Sequence, residues 1–225
     1  MSLSEREAAE APAGPAALLH LRRFSAMTPK VLLIGASTGG PQALRHVLAD
    51  APEWLRQIPI VVVLHLPPDF TEVVASDIAR AARMPARVAQ NGERLAPGTI
   101  YFAPGDKHLR VMRTAHDLVL VHADTEPQNF CKPSVDVLFR SAAKALGAQA
   151  LGLVLTGMGR DGLAGACAMA AAGGTILVQD ETTSVVWGMP GAIARAGVAS
   201  AILPLETIAS AISGLVASSR RGARA

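Results

Sequence analysis

Cysteines and aromatic residues are both scarce in this sequence, and each shortage argues against a class of protein. The two cysteines, Cys131 and Cys167, have no C-x-x-C neighbour, so we predict no metal site of the cysteine type. Two thiols in 225 residues suit a reducing compartment, and we expect a cytoplasmic protein. Aromatic residues make up 4% of the chain, and no basic stripe with interleaved aromatics occurs, which argues against a nucleic-acid partner.

Signals for export or membrane insertion are also missing. The first 29 residues contain no continuous apolar core of the signal-peptide type. The apolar segment 148–177 is interrupted by Arg160 and Asp161, which a membrane-spanning helix tolerates only at a high cost. We therefore expect no membrane insertion. The chain is half hydrophobic with a net charge of +3, and its length is enough for one sizeable core.

Short apolar runs alternate with helical patterns along the chain, and this alternation predicts the fold. Most of these runs are followed by an amphipathic helix, and they lie at residues 31–34, 59–64, 150–155, 175–178 and 201–203. Strands and helices that alternate at this spacing imply right-handed crossovers between parallel strands. We expect a doubly wound α/β fold with a mainly parallel sheet and helices on both faces.

The region from residue 87 to residue 123 has a different pattern, with short apolar runs separated by Gly, Asp and Pro turns. These runs predict antiparallel strands, as a hairpin insertion or extension of the sheet, at residues 98–105, 108–112 and 118–122. We expect one domain over residues 30–216. A flexible N-terminal arm is expected over residues 1–29, and a basic flexible tail over residues 217–225.

The strongest local signal is the turn Gly35-Ala-Ser37-Thr38-Gly39-Gly40, which lies between the first strand and a helix that begins near Pro41. The spacing Gly35-x-Ser37-x-Gly39 matches the nucleophile elbow, in which glycines relieve crowding around a strained serine. This turn lacks G-x-G-x-x-G and G-K-[ST], so it gives little support to nucleotide binding. Taken alone, it leaves open a nucleophile, a structural turn and a phosphate site.

Two further polar residues follow buried strands in the same way. His65 lies just after the second strand, and Asp161 follows the strand at 150–155. Because the carboxyl ends of parallel strands share one edge of the sheet, Ser37, His65 and Asp161 are predicted to meet there. A serine needs a base to take its proton, and a carboxylate keeps that base in the correct tautomer. The simpler alternatives also stand: His65 as a solvated loop residue, and Asp161 as the cap of the next helix.

Six motifs in order resemble one known family, and they span about residues 30–215. They are Ile34-Gly-Ala-Ser-Thr-Gly-Gly40, His65-Leu-Pro-Pro-Asp-Phe70, Tyr101-Phe-Ala-Pro-Gly-Asp-Lys-His108, Lys132-Pro-Ser-Val-Asp-Val-Leu-Phe139, Leu155-Thr-Gly-Met-Gly-Arg-Asp-Gly162 and Val186-Trp-Gly-Met-Pro190. Together they closely resemble the catalytic domain of the bacterial chemotaxis protein-glutamate methylesterase, CheB. The resemblance implies a serine hydrolase that removes methyl esters from glutamate side chains of chemoreceptors and also deamidates receptor glutamines.

The resemblance also implies roles for individual residues. It assigns the nucleophile to Ser37, the base to His65 and the orienting acid to Asp161, with the Met158 amide as an oxyanion donor and Thr38 lining the site. His108, in another motif, is expected to have a structural or substrate-groove role. No cofactor and no metal is implied. The protein substrate would be the cytoplasmic helices of methyl-accepting chemoreceptors.

The first 29 residues are too few for the receiver domain that family members usually carry, so we expect a stand-alone catalytic domain. A separate response regulator or another sensory protein is then a possible partner. We also hypothesise that residues 1–29 partly cover the site, because they lie just ahead of the strand that leads to Ser37. The alternative function is a non-catalytic binding module of the same fold in a sensory pathway.

Overall fold

The computed structural model describes residues 19–49 and 53–217. Its strands are β1 (Val31–Ala36), β2 (Ile60–Leu64), β3 (Ala86–Val88), β4 (Ile100–Phe102), β5 (His108–Arg113), β6 (Leu118–Ala123), β7 (Ala150–Val154), β8 (Thr175–Gln179) and β9 (Ala201–Leu203). Its α-helices are α1 (Gly40–Leu48), α2 (Pro68–Ala82), α3 (Val135–Leu146), α4 (Leu163–Ala171), α5 (Met189–Arg195) and α6 (Leu205–Ala217). Two short 3-10 helices cover Glu53–Arg56 and Gly147–Gln149.

Seven of the strands form one parallel sheet in the order β3-β4-β2-β1-β7-β8-β9. The central strands β1, β2 and β7 are buried along their whole length, as their continuous apolar sequences require. Strands β2, β3 and β4 all lie on one side of β1, and the chain then crosses to β7 on the other side. The carboxyl ends of β1 and β7 therefore form a topological switch point, where open α/β sheets bind their ligands.

Helices cover both faces of this sheet, as the sequence predicts. On one face, apolar residues of α3, α4 and α5 pack with side chains of the sheet and of β5 and β6. On the other face, the core is formed with α1, α2 and α6. Among the described residues, no helix is both long and apolar enough to span a membrane.

The predicted hairpin is present, but one of its three predicted strands belongs to the main sheet. Strands β5 and β6 pair in antiparallel fashion as a separate two-stranded sheet, which confirms the prediction for these two. The prediction for residues 98–105 is wrong, because β4 pairs in parallel with both β2 and β3. Its three residues, Ile100–Phe102, are all buried. Such burial on both faces is typical of an inner parallel strand.

Two hydrogen bonds attach the hairpin to α3. The Val111 amide donates to Ser141 Oγ at 3.0 Å, and Arg113 Nε donates to the Ala145 carbonyl oxygen at 2.8 Å. One donor is a backbone amide and the other a side-chain nitrogen, and both belong to residues of β5. The hairpin is therefore fixed relative to the helix that follows it in the chain.

The structure describes the N-terminal segment from residue 19 onward. From residue 19 to residue 29 the chain forms no helix. The Arg22 amide donates to the Ala199 carbonyl oxygen at 2.8 Å, and the Arg22 guanidinium donates to the Ala170 carbonyl oxygen at 2.8 Å. These carbonyl groups lie near the amino-terminal ends of β8 and β9, on the edge of the sheet opposite to Ser37. For residues 19–29 the predicted cover over the site is therefore wrong. Residues 1–18 and 218–225 lie outside the described part.

Phe139 shows how small residues allow α3 to approach the sheet and α4. A Cβ atom added at Gly152 on β7 would lie 3.2 Å from the Phe139 ring, and one at Gly165 on α4 would lie 2.5 Å from Phe139 Cβ. The Phe139 side chain is fully buried between these elements. The two glycines thus make room for one large apolar side chain, which closes the core on this face of the sheet.

We expect Phe139→Ala to lower the free energy of unfolding by about 3–5 kcal/mol, because a buried phenylalanine is lost and a cavity remains. Urea titration followed by circular dichroism measures this change. Phe130→Ala is the matched control, since Phe130 is 103% exposed, and its effect should stay within about 0.5 kcal/mol. Equal effects of the two variants would contradict this account of the core.

Candidate functional site

Ser37 lies at the switch point, in the turn between β1 and α1. Its amide donates to the Thr156 carbonyl oxygen at 3.0 Å, which joins this turn to the turn that follows β7. Gly39 takes a positive φ of 77°, a conformation that a glycine adopts without strain. A Cβ atom at Gly40 would lie 2.8 Å from Ala36 Cβ. The glycines therefore allow a sharp turn that leaves Ser37 only partly buried and the Thr38 side chain exposed.

The turn after β7 lies directly against Ser37. A Cβ atom added at Gly157 would be 2.9 Å from Ser37 Cβ and 3.1 Å from the Ser37 amide nitrogen. The next residue, Met158, has a side chain that is 73% exposed. Its amide has no hydrogen-bond acceptor within the described residues. This turn thus presents a free N–H group one residue beyond the contact with Ser37.

His65 and Asp161 form a direct pair at the same edge of the sheet. The His65 amide donates to the Ala36 carbonyl oxygen at 3.1 Å, so the residue after β2 is held beside the end of β1. His65 Nε2 lies 2.9 Å from Asp161 Oδ2. The predicted meeting of these two side chains is therefore found. It leaves Nδ1 as the ring nitrogen available for proton transfer.

The Asp161 carboxylate is held by the amino-terminal end of α3. It is only 2% exposed, and it accepts hydrogen bonds from the Val135 amide at 2.7 Å, the Asp136 amide at 3.2 Å and Ser134 Oγ at 2.8 Å. The unpaired amides and the dipole of a helix N-terminus favour a negative charge there. The alternative that Asp161 caps the helix after it is wrong, because Gly162 is the N-cap of α4 and no side chain caps it.

These contacts shift the pKa values of both partners. Burial by itself lowers the pKa of His65, but hydrogen bonds to Asp161 and Cys131 outweigh it and raise that pKa to about 9. Burial by itself raises the pKa of Asp161, but hydrogen bonds from His65, Ser134 and the Val135 amide outweigh it, so that this pKa lies below its ordinary value. The pair is therefore stable as an imidazolium beside a carboxylate at neutral pH.

Cys131 is a member of the site that the sequence analysis did not identify. Its Sγ lies 3.7 Å from His65 Nδ1, on the side of the ring away from Asp161. It follows a tight turn in which Gln128 and Cys131 exchange two backbone hydrogen bonds of 2.8 and 3.0 Å. The two central residues of this turn, Asn129 and Phe130, both have positive φ angles. The only sequence signal was its place directly ahead of the motif that begins at Lys132.

His65, Cys131 and Asp161 also place three possible metal ligands within 4.8 Å of one another. However, both carboxylate oxygens of Asp161 already accept hydrogen bonds, from the α3 amides, from Ser134 and from His65. A cation at this cluster would have to replace some of these bonds. The arrangement is therefore suited to orienting an imidazole.

His108 supports this arrangement from the interior. It is fully buried, and its Nδ1 accepts a hydrogen bond from the Ser134 amide at 3.1 Å. Its Nε2 then donates to the Glu126 carbonyl oxygen at 3.1 Å. Because His108 holds the residue just ahead of α3, its contacts are structural. A role in a substrate groove does not fit its burial.

Ser37 lies in the turn beside the His65–Asp161 pair, but its hydroxyl group makes no hydrogen bond with either residue of the pair. Within the described residues, Ser37 Oγ forms no hydrogen bond with His65 or with another group. The structure thus brings together His65, Asp161 and Cys131 by direct contact. Ser37, Thr38 and Met158 lie in the two adjoining turns of the same edge.

A doubly wound parallel sheet with a serine, a histidine and an aspartate at its carboxyl edge defines an α/β protein with a hydrolase-like site. The family model described as CheB methylesterase matches residues 32–212. The chain belongs to the CheB methylesterase family.

Curated relatives and one solved structure agree with this membership. A protein-glutamate methylesterase/protein-glutamine glutaminase of group 2 operon from Bradyrhizobium diazoefficiens is 48% identical over 96% of this chain and 55% of its own length. A protein of the same name from Rhodopseudomonas palustris is 48% identical over 91% and 52%. The chain thus spans about half the length of these relatives. The crystal structure of the Thermotoga maritima CheB methylesterase catalytic domain matches with a TM-score of 0.81 and 34% identity, over 84% of this chain and 100% of that one.

We expect the Cys131 thiol to help hold the proton on His65. Removal of the thiol by Cys131→Ala takes away one contact that raises the pKa of His65, so the midpoint should move from about 9 to a lower pH. Titration of the imidazole by proton NMR measures this midpoint. Cys167→Ala is the matched control, because Cys167 is an exposed cysteine without a contact to His65. An unchanged midpoint in Cys131→Ala would show that the thiol does not act on the ring.

Proposed function

We propose that this protein is a protein-glutamate methylesterase, a serine hydrolase that releases methanol from methylated glutamate side chains of chemoreceptors. The single observation that carries the proposal is the pair of His65 with the buried Asp161, held at 2.9 Å beside the turn of Ser37. Support also comes from the names of the relatives and from the membership in the CheB methylesterase family. Deamidation of receptor glutamines is part of the proposal, because it uses the same acyl-transfer chemistry with ammonia as the leaving group.

In the proposed first step, Ser37 Oγ attacks the ester carbonyl carbon while His65 takes the serine proton. Because Nε2 of His65 faces Asp161, the proton goes to Nδ1. Substrate binding must replace the Cys131 sulfur at Nδ1 by Ser37 Oγ, since this sulfur lies 3.7 Å from Nδ1. Catalytic hydrogen bonds commonly tighten in this way when an enzyme binds its substrate. The imidazolium then protonates the leaving methanol. In the second step, water attacks the carbonyl carbon of the acyl-enzyme while His65 accepts its proton. The imidazolium then returns this proton to Ser37 Oγ as the bond to the glutamyl group breaks.

Asp161 is proposed to orient the imidazole and to stabilise its positive charge without taking its proton. Its three hydrogen bonds from the start of α3 keep the carboxylate ionised, which this role requires. The reaction needs no cofactor, since the nucleophile, the base and the acid are all side chains of this chain.

The oxyanion that forms during attack is proposed to be bound by backbone amides. The Met158 N–H is free and lies one residue beyond the Gly157–Ser37 contact. The amide of Thr38, directly after the nucleophile, is the second candidate, as in the nucleophile elbow. One such donor contributes on the order of 3 kcal/mol to transition-state stabilisation.

The proposed substrates are the cytoplasmic helices of methyl-accepting chemoreceptors, which places the action of the enzyme in the cytoplasm. A separate response regulator or another sensory protein is the proposed regulatory partner. A binding module that has lost hydrolysis remains the alternative, and the next experiment separates it from an esterase.

We expect Ser37→Ala to abolish release of methanol from receptor fragments that carry labelled methyl esters, because the nucleophile is lost. Thr28→Ala, a similar change of a hydroxyl residue at the opposite edge of the sheet, should leave the rate unchanged. Full activity of Ser37→Ala would overturn the mechanism. If the wild type releases no methanol and Ser37 does not react with a phosphonate probe, the binding-module alternative is the correct one.

We expect Asp161→Asn to reduce kcat by about 10⁴-fold, because an amide cannot hold the imidazole in the productive tautomer. The variant also places an NH₂ group among donors from α3, so its melting temperature should fall. Methanol release at a temperature where circular dichroism shows the folded protein separates the two effects. A kcat within tenfold of wild type would remove Asp161 from the mechanism.

Wild-type kcat/KM should rise with pH through about 9, because only neutral His65 accepts the serine proton. The free energy of unfolding depends on pH with the opposite sign. The pKa of His65 in the folded protein exceeds the ordinary value of 6.5, so protonation stabilises the fold below about pH 6.5, and this contribution is lost as pH rises towards 9. Unfolding by urea at pH 6 and pH 9.5 measures this difference in the wild type against His65→Gln. A rate that falls between pH 7 and 9 would contradict the role of His65 as the base.

A further inference from the structure

A groove with strong positive charge lies between β5 and α3. Its volume is about 560 Å³, and it is lined by the cationic side chains of Arg110, Arg113, Arg140 and Lys144. No carboxylate is among its lining residues in the described part of the chain. Val111, Met112, Val137 and Ala145 supply an apolar floor. The groove therefore combines an apolar surface with four positive charges that repel one another.

Among the described residues, none of these four side chains forms an ion pair with a carboxylate, although the Arg140 charge also acts on Asp136, four residues earlier on α3. Arg113 and Arg140 donate only to uncharged oxygens, of Ala145 at 2.8 Å and of Gln128 at 3.1 Å. By contrast, two arginines close to the hairpin, Arg87 and Arg94, are paired with Glu93 and Asp117. A group of cations without ion pairs around an apolar floor favours a ligand that brings its own negative charges.

One turn and helix α3 connect the groove to the candidate active site. Gln128 lines the groove, and its backbone pairs with Cys131, whose sulfur lies 3.7 Å from His65 Nδ1. Helix α3 is the second connection between the groove and the site. Its first amide, that of Val135, binds Asp161, and its later turns carry Arg140 and Lys144. From Val135 to Lys144 the helix rises by about 14 Å, at about 1.5 Å per residue.

We infer that this groove binds an acidic segment of the substrate protein, next to the glutamyl ester that is hydrolysed. The inference rests on the proposed function and names how its substrate is recognised. On a helical substrate, a span of about 14 Å corresponds to carboxylates about nine residues from the reacting side chain. Among the described residues, no aromatic side chain lines the groove, so the groove lacks the stacking platforms that single-strand binding proteins typically use. An acidic protein segment therefore fits better than a nucleic acid.

The test compares a large and a small substrate. The double variant Arg140→Glu/Lys144→Glu should lower kcat/KM for methanol release from receptor fragments by about tenfold or more, mainly through KM, at low ionic strength. Hydrolysis of 4-nitrophenyl acetate should not change, because this ester does not reach the groove. The effect should shrink above about 0.5 M salt, since exposed charges are then screened. The matched control is Arg56→Glu, an exposed arginine at the opposite edge of the sheet.

A direct binding measurement tests the inference independently of turnover. Fluorescence anisotropy of a labelled receptor fragment with Ser37→Ala protein should show weaker binding when Arg140→Glu/Lys144→Glu is added, and unchanged binding when Arg56→Glu is added. Equal binding by all three proteins, or an equal loss with Arg56→Glu, would overturn the inference. So would displacement of the fragment by an oligonucleotide that binds more tightly at physiological salt. If wild-type protein releases no methanol from any fragment, the proposed function fails, while the binding comparison still decides the role of the groove.

Discussion

The carboxylate of Asp161 at the start of α3 is the interaction on which the rest of the site depends. A buried carboxylate without partners costs several kcal/mol, so the three donors of the helix and the imidazole of His65 must be present together. This requirement connects the turn after β7, the end of β2 and the amino-terminal end of α3. His108 extends the connection inward, because it holds the Ser134 amide. These residues at the carboxyl edge of the sheet thus form a single hydrogen-bonded unit that includes a helix terminus.

Much of the fold could be predicted from sequence because its strands are continuous apolar runs. Such runs predicted β1, β2, β7, β8 and β9, and their shared carboxyl edge predicted that His65 and Asp161 meet. Strand β3 was missed, and the direction of β4 was wrong. Both strands have only three residues, and a run of this length does not indicate which neighbour it pairs with or in which direction. The pairing partner and the direction of a short strand depend on the whole sheet.

The part of the site that could not be predicted comes from loops and from a helix end. Cys131 follows no strand, and its contact with His65 depends on a turn formed by Asn129 and Phe130. Asparagine is common at positive φ, but a bulky residue such as Phe130 is not, so the sequence does not indicate this turn. The stretch from Gly157 to Gly162 also has the spacing G-x-G-x-x-G, a pattern that the sequence analysis did not consider. In the structure, Gly157 is needed for the close approach of Ser37. Gly159 and Gly162 have positive φ angles of 86° and 96°, so the spacing here serves a close contact and the shape of the turn.

The short length of the outermost strands has a consequence for the behaviour of the protein in concentrated solution. Strands β3 and β9 form the two borders of the parallel sheet, and each has three residues. An unpaired strand border is a template for self-association into fibrils, and brevity together with charge reduces that hazard. The middle residue of β3 is Arg87, which stacks on Tyr101 and pairs with Glu93. Both borders of the sheet thus offer little backbone for another copy to extend, which protects the protein against aggregation.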